Sequence, residues 1–403
     1  MCTRPLLAIE CLTLAALLVG CGPTKAGLDA RAEARQRMNT YSAQFTYDQA
    51  EQEFHAGQFD RALRDIDRAI AQAPEVAKFD LLKGRIHLET ARLEPAVQSF
   101  FAALEKDRQL AEAHYFAGIV FQRWSDDEQA FEHYQQAYEI EPDNVQYLLA
   151  TAEALIALGE FDEAQGLVES RLAYFEHNAA LRHLLGQIAL LDGDARMAAR
   201  LYEEARLLDP DNIMLMEELA WAQYSAELYG QCFETVRLLQ ERLKEQRTDL
   251  MHLEARCLAM LGRSAEAYNR FLTLTKLASD DPSIWMEFGT LAWQLGDYRR
   301  MAQCGVRAID LVPDRYEGYM LKGLYDQREG RLEEAVNQLR QAADLAPEVV
   351  LPHLLLGRAH EQAGQPRAAL AAYDSALRID PQSSEALLLQ ERLERRLRLA
   401  NVE

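Results

Sequence analysis

The chain has 403 residues, 49% of them hydrophobic, with 43 Lys and Arg against 64 Asp and Glu for a net charge of −21. So large an acidic excess repels phosphate backbones, and no basic stripe offsets it, which argues against nucleic acid as the main partner. Beyond residue 22 no stretch is long and apolar enough to span a bilayer. Most Asp and Glu fall on faces that would be solvated, where they keep an apolar-rich chain soluble.

Arg4 precedes an apolar run from Cys11 to Gly20 that ends in Leu18-Val19-Gly20-Cys21. The run is too short for a spanning helix and has the length of an export signal. It resembles the bacterial lipoprotein signal with its lipobox. That resemblance implies removal of residues 1–20 and acylation of Cys21, with Gly22 favouring release to the outer membrane. Several acyl chains on one cysteine anchor a protein stably where one chain would not. Residues 21–42 then form a polar tether, Arg- and Ala-rich, whose Arg31, Arg35 and Arg37 could touch anionic head groups.

Next, a small residue recurs at Ala50, Gly84, Gly118, Ala152, Gly186, Ala220, Ala255, Gly289, Gly323 and Gly357. The spacing is 34 residues except for 35 between Ala220 and Ala255. A fixed period of this size means stacked two-helix units, each completing its neighbour's core. Twelve residues after the small one stands alanine in eight copies, among them Ala62, Ala130 and Ala335, so two helices must cross closely there. Between the two, Gly57, Gly159, Gly193, Gly262, Gly296, Gly330 and Gly364 suit the left-handed turn that ends a helix. Prolines such as Pro142 and Pro210 end the second helix, and Asn144 and Asn212 can cap the next.

This pattern resembles the tetratricopeptide repeat family over residues 43–381, with further family positions at Tyr134, Tyr202, Phe271 and Tyr373. The resemblance implies an all-α, right-handed superhelical solenoid of about ten helix–turn–helix repeats. Copy six departs from it, with Glu227 for the turn glycine, Cys232 for the alanine, no terminating proline and one extra residue, so a local change of curvature is expected near 227–248. Residues 382–403 form a capping helix. Its Ala386, Leu389, Leu393 and Leu397 face the last repeat, and Arg392, Arg395, Arg396 and Arg398 face outward.

Past the signal only Cys232, Cys257 and Cys304 remain, all at positions expected to be buried, and pairing of Cys232 with Cys257 is left open. The nine histidines show neither an HExxH pair nor zinc-site spacing, and there is no phosphate loop, GxSxG or kinase signature. The expectation is a non-enzyme with no cofactor and no metal.

Function is then expected in the concave groove, at positions this family uses for ligands: Tyr47, Phe54, Tyr115, Met214, Trp221, Tyr224, Met260, Met286 and Trp293, with Arg85, Arg123 and Arg256 among the interleaved charges. Trp124 and Trp285 are assigned to packing. An aromatic and methionine surface suits a peptide or helix of another protein. Two roles remain open. One is a lipid-anchored scaffold on the periplasmic face of the outer membrane, in secretion, pilus, polysaccharide-export or wall assembly; the other is a soluble cytoplasmic adaptor for an enzyme or chaperone. Oligomeric state is not legible at this level.

Overall fold

The computed structural model describes residues 25–400, so the expected signal and Cys21 lie outside the described residues. Among the described residues there are 21 helices and no strand. Twenty of the helices form ten hairpins, from Lys25–His55 with Phe59–Gln72 to Val350–Gln362 with Pro366–Ile379, and Ser384–Ala400 follows. They fall into two compact units that divide in sequence between Ile188 and Ala189.

Each hairpin turns through one residue of positive φ. At seven turns it is glycine, with φ between 69° and 83°. Ala91, Ser125 and Glu227 take the same conformation at 56°, 59° and 60°, so the tertiary stack imposes the turn even where a Cβ opposes it. Copy six thus makes the regular turn without its glycine. Its extra residue is taken up where the second helix, Tyr229–Leu243, ends in a left-handed Lys244 at φ 54°. Asn144 and Asn212 cap their helices as expected, accepting from the Gln146 and Leu215 amides at 3.0 and 3.2 Å.

Most hairpins close by fitting a larger side chain of the second helix over the small residue of the first; in copy eight that place is Gly305, and Leu321 of the next copy covers Gly289 instead. A Cβ on Gly118 would meet the Tyr134 ring at 2.6 Å, and one on Gly84 would meet the Phe100 ring at 2.3 Å. In copies one and six the small residue is alanine and the facing position shrinks to Ile66 or Val236. Neighbouring hairpins share cores: in the N-terminal unit Ala62, Ile66 and Ala69 pack with Phe79 and Leu82, and in the C-terminal unit Val236 and Leu239 pack with Leu250 and Leu253. Phe271 stacks on Phe288 of the next copy, ring centres 5.7 Å apart. Burying one such ring stabilises the fold by roughly 1.5–3 kcal/mol, so each copy leans on the next.

The segment expected as a tether is helical from Lys25 and continuous with copy one, although residues 25–42 are all exposed. Alanine and arginine are strong helix formers, and no proline or glycine breaks the run after Gly27. At the other end Ala386, Leu389 and Leu393 are buried against Tyr373 and Ala376, as expected of a cap. Arg392 and Arg396 are exposed, as expected, and are also ion-paired. Both reach Glu361, at 3.3 and 3.0 Å, because that carboxylate is held beneath them by the Tyr373 hydroxyl at 3.0 Å.

Candidate functional site

The first helices of copies six to nine, Ile213–Ser225, Thr248–Met260, Pro282–Gln294 and Tyr316–Arg328, border a cavity in the C-terminal unit. Its volume is about 430 Å³, within the range of ligand pockets. Ala259, Met260, Phe271, Met286 and Leu291 give it apolar wall, and Ser283, Thr290 and Gln294 supply neutral polar groups. Its charges come in opposite pairs. Arg256 lies over the Tyr224 ring at 4.4 Å and reaches Glu287 at 3.5 Å, and Arg315 is bound to Glu317. His252 completes the cluster, its Nε2 2.9 Å from Glu287.

Beside it, a smaller cavity of about 150 Å³ is lined by Trp221, Thr248, Asp249, His252, Asp281 and Ile284 and shares Arg256. Trp221 is 44% exposed and stands edge-on to Tyr224, ring centres 6.5 Å apart. Arg247 at the edge of copy seven bonds Asp249 at 2.5 Å and also holds Glu217. The hydrogen bond from Arg247 keeps the Asp249 carboxyl below the usual range. Burial raises the Tyr224 hydroxyl against the opposing effect of Arg256, so it remains a neutral phenol able to donate and accept. Balanced charge, neutral donors and a methionine wall suit an uncharged backbone segment with an apolar side chain, and do not suit a strongly charged ligand.

The expected groove residues separate into distinct groups. Tyr224, Met260, Met286 and Arg256 converge on the larger cavity, and Trp221 and Arg256 on the smaller. Met286 lines the larger cavity while being buried, 7% exposed, because it packs within the stack of copy eight. Met214 and Trp293 are exposed but line neither cavity.

In the N-terminal unit the expected residues engage one another. Tyr47 stacks on Phe79 at 5.3 Å and bonds Glu51 at 2.9 Å, and Arg85 lies 5.2 Å from both Phe54 and Phe116 while pairing with Glu112 at 3.3 Å. Tyr115 packs among Phe116, Tyr134 and Tyr147, and the exposed Arg123 donates to the Leu88 carbonyl at 3.4 Å. Trp124, assigned to packing, is 40% exposed, its ring edge-on to Phe121 at the end of its helix; Trp285 is half-buried, donating to the Ser279 carbonyl at 3.0 Å.

Sequence reading missed Glu287, Ser283, Thr290 and Gln294. Thr290 had a signal: like Trp221 and Arg256 it follows its copy's small residue directly. Glu287 had none, since glutamate is common on solvated helix faces. Cys232, Cys257 and Cys304 are buried free thiols; hydrogen bonding to Cys257 and burial push the Cys232 thiol up, and burial pushes that of Cys304 up to about 12, so neither of these two is a poised nucleophile. Among the described residues no cluster of three or more His, Cys, Asp or Glu could hold a metal, and no helix is long and apolar enough to cross a membrane.

Tetratricopeptide repeat models match residues 47–111, 127–188 and 320–384. These three segments are tetratricopeptide repeats. Superkiller complex protein 3 of Mus musculus is 22% identical over 318 residues, which is 75% of this chain and 18% of that protein. BBSome complex member BBS4 of Bos taurus is 25% identical over 227 residues, 56% of this chain and 43% of that one. The chain thus spans less than half the length of either curated relative. A tetratricopeptide repeat protein of Parabacteroides merdae superposes with a TM-score of 0.46 at 14% identity, covering 63% of this chain and 99% of its own.

Proposed function

We propose that this chain is a non-catalytic scaffold that holds a peptide or helical segment of another protein on the first helices of copies six to eight. The observation that carries the reading is Trp221, an exposed indole set edge-on to Tyr224 and sharing Arg256 with an open cavity of ligand size. Exposed aromatic anchors beside desolvated arginines dominate the binding energy of protein interfaces. Anchoring through Cys21 to the outer membrane, facing the periplasm, is the cellular setting we propose, in secretion, pilus, polysaccharide-export or wall assembly; it rests on Leu18-Val19-Gly20-Cys21. Glu10, a charge at the start of the apolar run, favours the second reading, a soluble cytoplasmic adaptor for an enzyme or chaperone.

Capture from membrane extracts with the whole chain as bait, followed by titration of the captured partner, tests the site. Trp221→Ala should weaken binding by about 2 kcal/mol with the thermal melt unchanged. Equal affinity for both proteins would move the working surface elsewhere. Mass spectrometry decides the setting: an acylated residue 21 supports the anchor, and an unmodified Cys21 on a full-length chain supports the adaptor.

A further inference from the structure

Phe45 occupies a position that every later copy buries. Five residues before each small residue stand Phe79, Ala113, Tyr147, Leu181, Leu215, Leu250, Ile284, Gly318 and Pro352, all buried in the stack. Phe45 is 72% exposed, since the helix continues from it toward Lys25 with no hairpin folded over it. Two other stacking positions of copy one have been made polar. Asp48 stands where copies two, seven and nine carry the buried Leu82, Leu253 and Leu321, and Gln52 where others carry Ile86, Val120 and Leu291. Polar replacement is how a repeat array ends against water, so Phe45 is not leftover stacking surface.

It belongs instead to a stripe that runs off the array. Ala34, Met38, Tyr41 and Phe45 follow one another at steps of four, three and four, the spacing of a two-helix seam, and the last three are 74%, 79% and 72% exposed. On the same seam Arg31 lies one step before the apolar stretch and Asp48 one step after it. Ala43 and Ala50, which pack into copy one, lie on the other side of the helix, so among the described residues the seam is not used by the fold.

We infer that this stripe is the interface of a homodimer in which the helices of two copies pair antiparallel. The charges select both occupant and direction. In antiparallel register Met38 of each copy meets Tyr41 of the other, Ala34 meets Phe45, and Arg31 meets Asp48, so opposite charges close both ends. Parallel pairing would set Arg31 against Arg31 and Asp48 against Asp48. Asp48 accepts a local bond from Gln44 at 2.6 Å, leaving its second oxygen for the arginine. Arg35 and Arg37, flanking the seam, then face the Ser42 and Gln44 region and not each other. Three large side chains per copy bury on the order of 800–1,000 Å² in total, the low end for a specific interface, so a reversible dimer in the micromolar range is expected.

Sedimentation of the full chain across concentration tests this. The unaltered chain should dimerise, and Tyr41→Lys and Phe45→Lys should each weaken dimerisation at least tenfold with an unchanged melt, both side chains being exposed. Arg31→Asp should also weaken it, and the double variant Arg31→Asp with Asp48→Arg should restore it. Mixing Met38→Cys with Tyr41→Cys chains should give more cross-linked dimer than either alone, and Thr40→Cys, on the opposite face, should give none. A monomer at every concentration, or a dimer indifferent to these substitutions, would overturn the inference. So would flotation of the chain with anionic vesicles that is lost in Tyr41→Lys without any dimer, which would make a lipid surface the occupant.

Discussion

The inner helices of the two units carry the same residue types and use them differently. In the N-terminal unit Arg85 is enclosed by Phe54, Phe116 and Glu112, and Tyr115 by three other rings, so each aromatic or cationic group already has its partners. In the C-terminal unit Arg256 also has an aromatic ring and a carboxylate, Tyr224 and Glu287, yet a cavity of about 430 Å³ opens beside them and Trp221 stays exposed. An arginine over an aromatic ring therefore does not distinguish scaffold from site. Free volume next to the pair does, and it depends on what the next copy sets there: the Phe116 ring beside Arg85, but the slimmer Glu287 at the same repeat position beside Arg256.

The largest effect that could break this comparison is on stability. Tyr115→Ala should cost about 2–4 kcal/mol, because its ring fills a packed cluster, and Tyr224→Ala about half as much, because one side of its ring faces the cavity. Equal losses in thermal or denaturant unfolding would mean that the two inner faces are packed alike.

A pH titration sharpens the contrast from the N-terminal side. His133 lies with its Nδ1 3.1 Å from that of His114 and its ring stacked on Phe121, and burial, helped by His114, pulls it down to about 4. The folded state therefore favours neutral imidazole. The resulting stability is fully present above the unfolded value near 6.5 and is lost as pH falls from there toward 4. After allowance for partial solvent exposure the loss should be about 1–2 kcal/mol. Unfolding measured at pH 7 and pH 5 should show it in the unaltered chain and much less of it in His133→Phe, which keeps the stack on Phe121. A pH dependence unchanged by that substitution would assign the effect elsewhere.

The smallest effect concerns the turns. Glu227→Gly should stabilise the C-terminal unit by about 0.5–1 kcal/mol, since glycine takes φ 60° without the Cβ penalty, and Ser125→Gly should do the same in the N-terminal unit. A loss of stability in either would show that the side chain, not the backbone, matters at that turn.

The 34-residue period by itself determined the hairpins, their turns and the close crossing at alanines such as Ala62, Ala130 and Ala335, because backbone sterics at positive φ and the room between two crossing helices act within one copy. Glu227 illustrates the limit of that reading. The letter argues against a glycine turn, and the neighbouring copies enforce one. The period also located the inner positions, and four of the expected residues, Tyr224, Met260, Met286 and Arg256, do line one cavity. Which inner positions stay open was decided only by the tertiary structure. Exposure at Trp221, burial at Met286 and the arrival of Glu287 beside Arg256 depend on side chains contributed by adjacent helices, and contacts between copies are set by volume and charge that no single copy's letters contain.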